Sequence, residues 1–122
     1  MATFTNAATL SYNGNTLVSN TVTGTLQELL TVSKPAVGGT YSPNGEAVFA
    51  VSLVNSGAAA LTGLTLNDNL GAYAYNTSTL YPLTYIEGSI QYYINGVLQA
   101  APTATAGPPL VIRGINVPAG GN

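Results

Sequence analysis

Six charged side chains serve the whole chain: the cations Lys34 and Arg113 and the anions Glu28, Glu46, Asp68 and Glu87, with neither histidine nor cysteine. Without imidazole or thiol, nucleophilic triads of the usual kinds cannot be assembled. The carboxylates are not paired at a spacing that suggests glycoside hydrolysis. These residues point away from an enzyme, and no cofactor is implied. The run Asn67-Asp68-Asn69 is rich in oxygen, but its single carboxylate falls short of the roughly six to eight oxygen ligands that calcium takes. A strand-ending turn in which Asp68 accepts backbone N–H groups explains it better, and no metal site is expected.

Lys34 is the only lysine. Its amine could displace ammonia from an asparagine amide if a buried acid moved the protons; Asn55 is the candidate partner, with Glu46 or Asp68 as the acid. A solvated lysine beside Pro35 is the simpler reading. Tyr73, Tyr75, Tyr81, Tyr85, Tyr92 and Tyr93 could stack on sugar rings. Tyrosine is also a common strand residue, so a core or subunit interface is the favoured role for this set.

The elements that must position these residues are limited by composition. A chain of 122 residues with 46% apolar content builds one domain with a core, with or without an appended arm. Two scattered cations cannot displace counterions from phosphates, which excludes nucleic acid as a partner. A net charge of −2 gives weak repulsion between copies, so association is expected. No stretch is long and apolar enough for a transmembrane helix or a signal peptide, so membrane insertion is not expected. Release from a cell by lysis, or prior removal of a signal, would bring such a chain to a surface.

Nearly every local signal is a strand or a turn. Residues 2–12 alternate, with Phe4, Asn6, Ala8, Leu10 and Tyr12 on one face. Asn13-Gly14 suits a type I′ turn, and residues 16–26 form the return strand, with Val18, Asn20, Val22 and Leu26 on one face and Leu17 on the other. A strand over 29–34 precedes a turn region rich in Pro and Gly. Residues 46–55 are apolar on both faces, which predicts a central, fully covered strand. Further strands are predicted over 61–68, 81–86, 89–94, 97–99 and 110–117, with Asn95-Gly96 as a second tight turn and a loop bracketed by Pro102, Pro108 and Pro109. No segment repeats apolar residues at helical spacing, so the expected fold class is an all-β antiparallel sandwich.

From residue 29 onward the order of features resembles a repeat of bacterial surface proteins, the "domain of unknown function 11" type of immunoglobulin-like sandwich. The matching pieces are Leu-Thr-Val-Ser-Lys-Pro, Tyr-Ser-Pro-Asn-Gly-Glu-Ala-Val-Phe-Ala-Val-Ser-Leu-Val-Asn-Ser-Gly, Leu-Thr-Gly-Leu-Thr-Leu-Asn-Asp-Asn-Leu and Ile-Asn-Val-Pro-Ala-Gly-Gly-Asn. They cover about three quarters of the chain. In that family the Pro-Ala-Gly-Gly-like turn is followed by another strand and a closing hairpin. Here Thr5-Asn6-Ala7-Ala8-Thr9-Leu10 and Ser19-Asn20-Thr21-Val22-Thr23-Gly24 look like that hairpin, placed at the beginning.

The resemblance implies an N-terminal hairpin arm over 1–27 and an incomplete immunoglobulin-like domain over 28–122. The arm of one copy would complete the domain of another, through Phe4, Asn6, Ala8, Leu10, Val18, Asn20, Val22 and Leu26, and so build a head-to-tail fibre outside the cell or on a cell, spore or virion surface. An arm folded back on its own domain is the self-closed alternative, and a missing strand beyond Asn122 would make the chain part of a longer protein. An adhesin or phage-fibre module recognising glycan or host surface is the competing function.

Overall fold

The computed structural model of the chain describes residues 3–25, 27 and 29–122. All regular structure among them is extended, as the absence of helical periodicity predicts. The arm contains β1 (Thr3–Asn6), β2 (Thr9–Tyr12), β3 (Asn15–Val18) and β4 (Val22–Thr25), in which β2 pairs with β3 and β1 with β4, both antiparallel. Together they make one long hairpin. Asn13 at φ 45° and Gly14 at φ 77° form its tip, the left-handed pair that a two-residue turn between right-twisted strands requires.

The remaining strands are β5 (Leu30–Ser33), β6 (Ser52–Asn55), β7 (Leu61–Asp68), β8 (Tyr73–Tyr75), β9 (Ser78–Leu80), β10 (Tyr92–Ile94), β11 (Val97–Gln99), β12 (Thr103–Thr105) and β13 (Leu110–Val117). Two layers form a sandwich. One is the antiparallel sheet β12-β13-β7, and the other is the β5-β6 pair, prolonged by the bridge between Ala36 and Phe49. Leu30 and Leu53 of the second layer pack against the core, which the inward residues of β13, Leu110, Ile112, Ile115 and Val117, form together with Leu70. The two-stranded units β8-β9 and β10-β11 complete the set.

The ladder between β13 and β7 shifts register between Arg113 and Ile115 and again between Ile115 and Val117. Gly114, at φ 80°, takes the backbone angle that the first shift demands. The second leaves the backbone of Asn116 without a ladder partner. Tyr92 fills that position: its hydroxyl donates to the Asn116 carbonyl and accepts the Asn116 N–H, both at 2.7 Å. The Asn116 side chain in turn accepts the N–H of Gly63 at 3.0 Å. The break in pairing at this exposed residue is thereby filled by a side chain of the same protein.

Four expectations need correction. Residues 81–86 form no strand; Pro82 cannot donate to a ladder, and the segment is held instead by a backbone bond from the Leu83 N–H to the Leu70 carbonyl at 3.3 Å and by Leu83 and Tyr85 packing on the core. The stretch 46–55 is regular only from Ser52 and is not covered on both faces, since Val48, Val51 and Val54 are exposed. Its layer has two strands, and no second described strand pairs with the other edge of β6, where only Asn55 makes a backbone bond, to Gly121. The strand expected over 89–94 begins at Tyr92, and the loop between prolines contains β12.

Candidate assembly interface

The arm presents its side chains to solvent along its whole length. Phe4 is 55% exposed, Leu10 61%, Leu17 59% and Val22 54%, values far above those of the core residues. Asn6, Ala8, Val18 and Asn20 are exposed as well. Leu26 lies outside the described residues. No charged residue occurs between Thr3 and Thr25, so the arm could enter an apolar environment without stripping water from an ion.

The register decides which of these side chains share a face. Asn6 pairs with Val22 and Thr9 with Val18, so two residues of the outgoing strand stand opposite three, Ser19 to Thr21, of the return strand. This is a β-bulge. Ser19 closes it, donating its N–H to the Ala8 carbonyl and accepting the Ala8 N–H on its hydroxyl, both at 2.8 Å. The extra residue inverts the alternation of the return strand. Val18, opposite Thr9, therefore does not share the face of Val22, and the expectation that both belong to one stripe is corrected. Leu17 takes its place opposite Leu10, so the apolar stripe runs Phe4, Val22, Ala8, Leu10, Leu17 and Tyr12. Counting outward from Asn13-Gly14 pairs Leu10 with Leu17 from sequence alone; the bulge leaves no such signal.

Within the domain, β5 and β6 meet β7 and β13 around a narrow apolar groove of about 110 Å³ lined by Leu30, Val32, Leu53, Leu64, Leu66 and Ile115. Asn55, 1% exposed, secures one end of β6. Its amide nitrogen donates to the carbonyls of Ala59 at 2.8 Å and Pro118 at 3.1 Å, and its amide oxygen accepts the N–H of Gly57 at 2.9 Å. These bonds tie the loop after β6 to the segment after β13.

Lys34, just beyond β5, lies on Asp68 at the end of β7, with Nζ 2.5 Å from Oδ2 and 4.6 Å from the centre of the Phe49 ring. The other carboxylate oxygen accepts the N–H of Leu70 at 2.9 Å. That bond holds Leu70 at φ 54°, an unusual angle for a leucine, while its side chain enters the core. Partial burial works to raise the Asp68 carboxyl, but the hydrogen bond from Lys34, the Leu70 N–H and the Lys34 charge outweigh it and hold the group below its ordinary value. The lysine is thus ion-paired with Asp68, whereas the Asn55 amide is committed to backbone carbonyls. The geometry does not bring Lys34 and Asn55 together for amide exchange. Asn69 accepts the N–H of Gly71 at 3.0 Å, so the oxygen-rich run is spent on turns and an ion pair.

The tyrosines divide. Tyr85 and Tyr92 pack against the core, while Tyr73, Tyr75, Tyr81 and Tyr93 are exposed. Comparison with protein-family models, with curated proteins and with solved structures finds no match to this chain.

Proposed function

We propose that the chain is a non-enzymatic structural subunit that self-assembles by lending its N-terminal hairpin to a neighbouring copy, forming an extracellular or surface fibre. The observation that carries this reading is the uncharged arm with its uncovered stripe of Phe4, Leu10, Tyr12, Leu17 and Val22. A lone two-stranded hairpin is marginal in water, and burying each large apolar side chain stabilises by about 1.5–3 kcal/mol. A second copy offers both the surface and the strand edges that such an arm lacks. The low charge of the chain adds little repulsion to oppose contact between copies.

Electron microscopy and sedimentation of the purified chain in neutral buffer test the reading. Regular fibres are expected, and deletion of residues 3–25 should leave a folded particle that no longer polymerises. Dispersed monomers at all concentrations, or normal polymers from the deletion variant, would refute it. Tyr73 and Tyr75 are two apart on β8 and both exposed, which favours glycan recognition as the second reading. A monomer retained on a glycan array through these two rings would establish that alternative.

A further inference from the structure

The proposed exchange leaves open where the arm is received, and the backbone of β6 points to an answer that rests on that reading. Successive residues of this strand direct their N–H and C=O groups alternately to its two sides. On one side the N–H of Ala50 reaches the Pro35 carbonyl at 3.2 Å, that of Ser56 reaches the Leu29 carbonyl at 2.8 Å, and the Val48 carbonyl accepts from Val37 at 3.0 Å. Residues of even number therefore serve the ladder with β5. The backbone groups of Phe49, Val51, Leu53 and Asn55 face the opposite side.

At Asn55 that outer edge is already in use. Its N–H donates to the Gly121 carbonyl at 2.9 Å, and the N–H of Gly120 donates to the Gly57 carbonyl at 3.0 Å. Residue numbers rise on one side as they fall on the other, so these are the first rungs of an antiparallel ladder. The segment is fixed from its far side as well, because Asn95 donates its N–H to the Asn122 carbonyl at 2.9 Å and accepts the Asn122 N–H on its side chain at 3.0 Å. Beyond these rungs the outward groups of Leu53, Val51 and Phe49 have no backbone partner among the described residues, and Val51 stands 37% exposed beside them.

We infer that this outer edge of β6 receives the arm of a second copy, which adds as an antiparallel strand in line with the rungs at Asn55 and Gly57. The outgoing arm strand, Thr3 to Tyr12, is the one that pairs. The bulge puts its extra residue in the return strand, where it twists the edge away from pairing, whereas the outgoing strand carries no extra residue and breaks only at Ala7 and Ala8. Its stripe of Phe4, Ala8, Leu10 and Tyr12 is apolar, as are Phe49, Val51 and Leu53, and the one cation against these receiving residues, Lys34 on Phe49, is already paired with Asp68. Backbone hydrogen bonds would give the affinity and the alternate side chains the register.

Hydrogen–deuterium exchange on the full chain, dilute and assembled, locates the contact. Assembly should slow exchange about tenfold or more in peptides spanning 3–12 and 47–55 and leave those spanning 61–68 and 103–105 unchanged. Val51→Pro supplies the genetic arm, because it deletes an outward N–H without removing a bond to β5. This variant should keep the circular dichroism spectrum of the parent and raise the concentration needed for assembly about tenfold or more. Ser52→Lys, which places a charge on the sheet face and spares the outer edge, should assemble near the parent's concentration and serves if Val51→Pro fails to fold. Polymers whose protection falls on β7 or β12 instead, or a folded Val51→Pro that assembles normally, would overturn the inference and leave the fibre reading standing. A monomer in which 47–55 is already protected would mean that the edge is covered within one chain, and both would fail.

Discussion

The ring of Phe4 lies over Gly24 on the partner strand, so closely that a methyl group built on the glycine would stand 2.3 Å from the ring. The glycine removes a side chain from the stripe and gives the aromatic ring a seat on bare backbone, which offsets part of the cost of a glycine within a strand. Phe4 nevertheless stays 55% exposed, with much of its ring open to a partner. Phe4→Ala should leave thermal melting of the isolated chain within about 0.5 kcal/mol of the parent. It should raise the critical concentration for assembly roughly tenfold or more, the factor that corresponds to about 1.5–3 kcal/mol of lost burial. Sedimentation across a concentration series reads both species, and unchanged assembly would exclude the arm stripe from the contact.

The ion pair between Lys34 and Asp68 predicts a pH dependence of defined sign. The carboxyl is held below its ordinary value in the folded chain, so its contribution is complete above the unfolded value of about 3.9 and fades as the pH falls through the folded value. Melting temperatures of the parent and Asp68→Asn should differ at neutral pH and converge below about pH 4. The Lys34 side chain is 35% exposed, and solvent screening keeps the expected difference below about 1 kcal/mol. A gap that widened on acidification would contradict the assignment.

Asn55 holds the loop after β6 to the segment after β13 through a fully buried amide. Asn55→Ala deletes these bonds at once and leaves carbonyls of Ala59 and Pro118 short of donors. The expected loss is about 2–3 kcal/mol, which lowers the melting temperature by roughly 10 °C for a chain of this size. Differential scanning calorimetry measures it. Because the same residue starts the ladder at Gly121 through its backbone, the variant should retain that rung if the loop survives.

Tyr92 offers a narrower test, since its hydroxyl alone satisfies both backbone groups of Asn116. Tyr92→Phe keeps the ring in the core and removes only the oxygen. A destabilisation of about 1–3 kcal/mol is expected, with faster amide exchange at Asn116. An unchanged exchange rate there would show that water replaces the hydroxyl at no cost.

Much of the local structure is legible in the sequence. Asn13-Gly14 and Asn95-Gly96 turn where they were expected because few other residue pairs tolerate two successive left-handed angles. The strands over Leu61–Asp68 and Leu110–Val117 coincide with their predicted bounds, since alternation against a single core is a period that residues carry individually. The exposed identities of Phe4, Leu10 and Val22 could likewise be listed without coordinates.

Where faces and partners are concerned, tertiary structure decided. The bulge opposite Ala7 and Ala8 depends on how two strands divide an unequal number of residues, and it moved Val18 off the stripe and Leu17 onto it. Pairing of Lys34 with Asp68 rather than Asn55 followed from the ends of β5 and β7 lying together in the two layers. Residues 81–86 kept their apolar side chains but lost their ladder, because packing Leu83 and Tyr85 on the core requires no strand partner. Composition and turn chemistry determined that this chain is all β with an uncharged arm. Contacts between residues far apart in sequence settled the register, the buried amide of Asn55 and the pairing of β6 with β5, because register and burial belong to pairs of segments and are written in neither one alone.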